Sequence, residues 1–277
     1  MLGQSQQPSL SARVMRSLRM FSDVRGFLPL ANRLTPHAGE FVVKNKGLIF
    51  AGKLNSYIDR MVYMTGGYER EYIAPFLSMV PRKRIVLDIG ANAGTHTVAF
   101  GQAFRTVHAF EPHPVMFAQL ERNIALNRIE AIAHPIGLGD EPGSFPLYES
   151  SSENKGLTTF LVDELDADSR AEAARASVET ADSLNLPDEI DAVKIDVQGF
   201  EAQVLRGMQG ILTRNKPVVW LEITRGTQVA TVHDIRALMP YPIKVFRFER
   251  RTGWRNSVEM VEVTGETGEC DVLVIPN

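Results

Sequence analysis

The sequence predicts a doubly wound α/β domain, a mostly parallel sheet with an antiparallel C-terminal edge, extended at its N-terminus by a helix and a hairpin. Two observations predict it. From residue 84 onward short apolar runs alternate with helical stretches, the order that βαβ crossovers need. The last two apolar runs, 243–248 and 271–275, are joined by turn-rich chain without a convincing helix, so they read as an antiparallel pair at the sheet edge. A length of 277 residues suits one such domain over 66–277 and an extension over 1–65 that packs on it.

The elements follow in order. Residues 1–9 read as a disordered lead. Residues 10–22 fit an amphipathic helix, with Leu10, Val14, Leu18 and Phe21 on one face and Arg13, Arg16 and Arg19 largely off it. The expected use of that apolar face is docking on the domain; peripheral contact with a membrane or a partner is the alternative. Apolar runs at 41–44 and 48–50 flank Asn45-Lys46-Gly47, a hairpin pattern. Strands are expected at 85–89, 107–110, 131–138, 192–195 and 218–221, with helices at 95–104, 114–127 and about 200–212. A long insertion, about 141–180, separates the third and fourth strands. It contains a strand at 144–148, a polar run at 149–155 and an Ala/Glu-rich piece at 162–176. A connection of that length reads as a lid or substrate loop, with local disorder as the competing view.

Composition excludes several classes. A net charge of −3 supplies no basic field, so no nucleic-acid partner is expected. The single cysteine, Cys270, rules out an internal disulfide and a Cys-rich metal cluster, and reads as a small core residue. No apolar run approaches the ~20 residues that span a bilayer. The N-terminal stretch lacks the apolar core of a signal peptide, so a cytoplasmic location is expected. The oligomeric state stays open, a homo-oligomer included.

The chemistry starts at Asp88-Ile89-Gly90-Ala91-Asn92-Ala93-Gly94-Thr95, where a buried strand meets a sharp turn and then a helix. Gly90 and Gly94 remove Cβ atoms where a ligand approaches the backbone, and the helix start offers free N–H groups. Glu111 ends the second strand, 21 residues after Gly90, and Pro112 stops it. A carboxylate there can accept two hydrogen bonds from a ribose diol. Asn92 stands where a dinucleotide site has its second glycine, so a nucleoside ligand without phosphate suits the turn better. For Asp88 the plain alternative is a turn-stabilising acceptor.

At these residues the chain resembles the FkbM family of S-adenosylmethionine-dependent methyltransferases. The resemblance spans roughly 66–224 and rests on Gly67-Tyr68-Glu69, the run from Val86 to Thr97, Ala109-Phe110-Glu111-Pro112, and Asn123-Ile124-Ala125-Leu126-Asn127. Gly137-Leu138-Gly139-Asp140, the run from Val193 to Glu201 and Leu221-Glu222 complete it. It implies a class I methyltransferase (Rossmann-like) fold and methyl transfer to a hydroxyl of a sugar or polyketide-type acceptor, with S-adenosylhomocysteine as product. Asp88 is then placed to meet the cofactor's ammonium. Gly90, Asn92, Gly94, Thr97, Glu111, Pro112, Gly137 and Leu138 shape the cofactor pocket, Asp140 faces the adenine amino group or caps its own turn, and Glu69 reaches the methionine end. Two departures stand out. Gln198 replaces the glutamate usual in the family, and residues 153–159 replace a serine-rich stretch.

In this topology ligands sit outside the carboxyl ends of the strands. Asp196, Glu222 and His96 are therefore the ionisable groups expected at the reacting centre. Asp196 leads as general base, with helix capping or cofactor positioning as its plain alternative. His96 has a satisfied, non-catalytic alternative, and Glu201 reads as a first-turn charge. A divalent cation held by Asp196, Glu222 and Glu201 is a less favoured option, since metal-using relatives space their acids differently. His108, His113 and His134 show no ligand spacing. The rival to an enzyme is a catalytically inactive methyltransferase-like binding domain, which Gln198 keeps open. A nicotinamide oxidoreductase is argued against by the Gly90 turn.

Overall fold

The structure is a computed structural model that describes residues 7–18, 27–35, 37–149, 158–159, 172–223, 228–229, 231–251, 257–265 and 270–277. The extension opens with two eight-residue helices, α1 (Leu10–Ser17) and α2 (Phe27–Leu34). A hairpin follows, β1 (Glu40–Asn45) and β2 (Leu48–Lys53), then α3 (Tyr57–Thr65) and α4 (Arg70–Met79). Lys46 (φ 46°) and Gly47 (φ 90°) make the two-residue turn that the hairpin pattern predicts. The side-chain amides of Asn123 and Asn127 hydrogen-bond to the backbone of Ala51 and Ile49, which fastens the hairpin to the main domain.

The predicted apolar face of α1 points the wrong way. Ala12 and Met15 are the buried residues, whereas Leu10, Val14 and Leu18 are 70%, 50% and 41% exposed. Amphipathic spacing reveals a stripe but not which side the tertiary fold covers, and here a small residue lets the helix approach closely. Phe21 and residues 19–22 of the expected helix lie outside the described residues.

The main domain alternates β3 (Ile85–Ile89), α5 (Thr95–Phe100), β4 (Thr106–Phe110), α6 (Pro114–Asn127) and β5 (Ala131–His134). The expected third strand at 131–138 is divided: β5 stops at His134, and β6 (Gly137–Leu138) joins the insertion's β7 (Gly143–Glu149), β8 (Thr158–Thr159) and β9 (Glu172–Glu179) in a separate sheet of order β6-β9-β7-β8. The expected strand at 144–148 is β7, and the end of the Ala/Glu-rich piece is β9 rather than loop. The polar run after Glu149, and residues 162–171, lie outside the described residues. Then come β10 (Ile190–Ile195), α7 (Glu201–Arg206), α8 (Gln209–Asn215), β11 (Val218–Ile223), α9 (Val232–Leu238), β12 (Ile243–Arg251), β13 (Ser257–Val263) and β14 (Cys270–Pro276).

The large sheet runs β13-β12-β14-β11-β10-β3-β4-β5. Its β11-β10-β3-β4-β5 half is parallel and its β13-β12-β14 end antiparallel, the doubly wound arrangement predicted. The edge carries β13, an additional strand inside the turn-rich stretch. The expected helix at 200–212 is two helices, broken at Gly207. A Cβ there would sit 1.8 Å from the Gly139 carbonyl oxygen, so the chain passes too close for any larger residue.

Side chains alternate across each strand. Leu87, Ile89, Val193, Ile195, Val219 and Leu221 pack against α7, α8 and α9. On the other face Val86, Ala192, Val218 and Trp220 pack under Phe76 and Phe100. Toward the carboxyl ends this second face turns polar, with Asp88, Lys194 and Trp220 abreast on neighbouring strands and Glu222 opposite Asp271.

Candidate functional site

The carboxyl ends of β3, β4, β10 and β11 open onto one crevice of about 750 Å³, continuous with solvent. Its lining includes Glu69, Gly90, Asn92, His96, Glu111, Pro112, Asp196 and Glu222. Sequence reasoning therefore brought together eight residues that do share a cavity. Asp88, Gly94, Thr97, Gly137, Leu138 and Asp140 are not part of that lining. Asp88 and Thr97 are fully buried and bonded to each other, Thr97 Oγ1 donating to Asp88 Oδ2 at 2.5 Å. Asp140 pairs with Arg206 at 3.5 Å.

One end of the crevice is made by backbone. At Gly90 (φ 80°) an added Cβ would stand 1.8 Å from the Asp196 carbonyl oxygen, so only glycine lets the turn pass beneath β10. Gly90 and Ala91 donate their N–H groups to the Phe110 carbonyl at 3.0 and 2.9 Å. Asn92 takes a left-handed conformation (φ 50°), which asparagine tolerates, and its Oδ1 accepts from the Ala93 N–H. Its own N–H donates to Glu111 Oε2 at 2.8 Å, while His113 N–H donates to Glu111 Oε1 at 2.8 Å. Each oxygen of this carboxyl is thus aimed by one backbone donor and keeps a lone pair. Burial raises the Glu111 carboxyl to about 7, against the pull of those two donors.

The other end is made by charge. Lys194 Nζ lies 2.7 Å from Asp196 Oδ2. Gln198 Nε2 donates to Asp196 Oδ1 at 3.1 Å and to Glu222 Oε2 at 2.7 Å, so one amide braces two carboxyls. Gln198 reaches them from a left-handed backbone position (φ 51°) just before Gly199 (φ 101°). Glu69 Oε2 stands 3.5 Å from His96 Nε2, and Asp271 Oδ1 accepts from the Trp220 indole at 2.8 Å. Glu201 serves its own loop: its Oε1 accepts from the Gly199 N–H at 3.0 Å.

The protonation pattern follows from crowding. Burial disfavours the Asp196 charge, but Lys194 beside it and its hydrogen bonds hold the carboxyl well below the usual range. That charge, with burial second, pushes Glu222 far up, so Glu222 keeps its proton at neutral pH. Burial, then Asp271 and Asp196, raises Glu69 to about 8. Burial also raises Asp271. Burial and Lys194 press His96 well below its ordinary value, so it is neutral. Five carboxyls (Asp88, Glu69, Asp196, Glu222 and Asp271) thus crowd toward the buried ammonium of Lys194, and all but Asp196 are shifted upward.

The structure adds residues that sequence reasoning did not assign to the site. Ile58, Thr95, Leu147, Val197 and Gln198 line the crevice, and Tyr68 lines it beside Glu69. Leu147 brings the insertion to the crevice wall. His108 and His134, seen only as scattered, meet at 3.1 Å across β4 and β5. Among the described residues no group of three or more His, Cys, Asp or Glu is arranged to hold a metal ion.

The Methyltransferase FkbM domain pattern matches residues 88–251. Methyltransferase 1 of Beauveria bassiana is 28% identical over 182 residues, covering 57% of this chain and 69% of that protein. Methyltransferase sdnD of Sordaria araneosa is 28% identical over 170 residues, covering 48% of this chain and 63% of that protein. Among solved structures, the FkbM methyltransferase of Methylobacillus flagellatus aligns with a TM-score of 0.45 at 15% identity, over 79% of this chain and 53% of that one. The chain thus spans about two thirds of its curated relatives and about half of that structure.

Proposed function

The chain belongs to the FkbM methyltransferase family, and from that premise we propose that it moves the methyl group of S-adenosylmethionine to a hydroxyl of a sugar or other natural-product acceptor, releasing S-adenosylhomocysteine. The observation that carries this most is the crowding of carboxyls at one end of the crevice. Glu69, Asp196 and Glu222 line one end, with the buried ammonium of Lys194 behind Asp196, and open space leads from them to Glu111 at the other. A ligand with a cationic sulfonium, an ammonium and a ribose diol fits both ends.

Bound there, S-adenosylmethionine supplies an electrophilic methyl group. The chain's own residues bind, orient and take up a proton. Glu111 offers one lone pair on each oxygen to a diol. Asp196, ionised and 28% exposed on the crevice, accepts a hydrogen bond from an acceptor hydroxyl and orients its oxygen. Asp196, the ionised member of the pair that Gln198 braces, then receives the hydroxyl proton while Glu222 keeps its own. His96 is buried and neutral, a wall beside Glu69 rather than a base.

The test is calorimetric titration with S-adenosylmethionine, followed by mass spectrometry of a panel of saccharides, glycosides and polyketide alcohols incubated with enzyme and cofactor. Binding together with a methyl ether on a hydroxylated acceptor supports the assignment. Binding without product formation on any acceptor returns the chain to the inactive-domain reading, and absence of binding removes the cofactor.

A further inference from the structure

The helices of the extension present apolar side chains that the fold leaves uncovered. α1 is held from one side: Ala12 and Met15 are buried, and the Arg16 guanidinium donates to the carbonyls of Tyr63 and Lys44 at 2.7 and 3.3 Å while lying over the Tyr63 ring. On its other side Leu10, Val14 and Leu18 follow one another at four-residue steps, one turn apart, all exposed. α2 repeats the arrangement. Ala31 is fully buried, while Leu30 and Leu34 are 53% and 47% exposed. The two helices pack on each other, so both stripes belong to one small unit.

The charge of this unit is segregated as well. Residues 1–39 contain five arginines and a single acid, Asp23, in a chain whose net charge is −3. The acids of the protein therefore lie almost entirely elsewhere. Arg13 and Arg33 are exposed on the same two helices as the apolar stripes. An apolar ladder flanked by arginines is the pattern of a helix that lies in the plane of a lipid interface. Neither helix is long and apolar enough to cross a membrane. A second copy of the chain is a poorer occupant, because a two-fold contact would set arginines against arginines.

We infer that α1 and α2 form a peripheral docking surface for an anionic phospholipid membrane. The apolar ladder enters the boundary between headgroups and acyl chains, and the arginines meet lipid phosphates and anionic headgroups. This surface is independent of the methyl-transfer reading, because it uses none of the crevice residues.

The experiment is co-sedimentation of the full chain with vesicles of phosphatidylglycerol and phosphatidylcholine, against vesicles of phosphatidylcholine alone. Binding is expected to be on the order of tenfold or more tighter to the anionic vesicles and to weaken as salt is raised. The triple variant Leu10→Ser, Val14→Ser, Leu18→Ser changes exposed positions only and is expected to keep the wild-type circular dichroism and melting curve while losing sedimentation. The single variant Arg13→Glu is expected to weaken binding to the anionic vesicles alone. Failure to sediment with anionic vesicles at low salt overturns the inference. So does sedimentation that the triple variant leaves unchanged, and so does a dimer in light scattering that the triple variant dissolves without any vesicle binding.

Discussion

The two ends of the crevice are built on opposite principles. At the Glu111 end every polar atom is aimed by backbone: two N–H groups fix the carboxyl, two more fix the turn on the Phe110 carbonyl, and Gly90 supplies the clearance. At the Asp196 end side chains from β3, β10, β11, β14, α4 and α5 converge with more carboxyls than cationic groups. The first end is complete before a ligand arrives. The second is crowded with acid, and Glu69 and Glu222 keep their protons at neutral pH. A rigid end is suited to recognition, and an acid-crowded end to drawing a cationic reactant into line.

Variants at the two ends should therefore fail differently. The largest effect is expected from Asp196→Asn. It removes the charge that orients the hydroxyl, and kcat should fall by roughly 10²–10⁴-fold with much less change in cofactor affinity, measured by steady-state kinetics beside calorimetry. Equal losses in both would place Asp196 in cofactor binding instead. Lys194→Met comes next. Withdrawing the buried ammonium leaves Asp196 and Asp88 uncompensated, and stability should fall by about 3–5 kcal/mol in denaturant titration. A neutral result would mean that the acids already carry protons. Glu111→Ala strikes the other end and should weaken S-adenosylmethionine binding by about 1–3 kcal/mol.

The smallest effect concerns pH and separates the ends most cleanly. Glu69 is raised to about 8, so it is mostly protonated at pH 7 and ionised at pH 9. A positive sulfur favours the ionised form, whereas the neutral sulfur of S-adenosylhomocysteine does not. The two ligands share the amino-acid tail and the ribose, so effects at those groups cancel in their ratio. Preference for S-adenosylmethionine should accordingly rise on the order of tenfold from pH 7 to pH 9 and fall again below. A ratio that is flat with pH would contradict the idea that the acid cluster faces the sulfur.

The same contrast explains what could be read in the sequence. The Glu111 end is one continuous stretch, 88–113, and its strand, turn, helix and acid are all visible in order. Asp196 and Glu222 were legible because both end apolar runs. Asp271 and Trp220 were not, since their meeting depends on the antiparallel register of β11 and β14, which no local pattern encodes. Tyr68 lay inside the resemblance without an assigned role, and only the path of the connection between α3 and α4 brings it to the crevice wall. α9 carried a readable signal, the Thr231–Asp234 capping box, that went unused. For α1 the periodicity was correct and the direction was reversed, because burial is decided by what the helix packs on.

A solved complex with S-adenosylhomocysteine tests the central claim most directly. It should show the ribose hydroxyls on Glu111 and the sulfur directed toward Asp196 and Glu222. A nucleoside bound outside this crevice, or held in it with its sugar away from Glu111, would contradict the account.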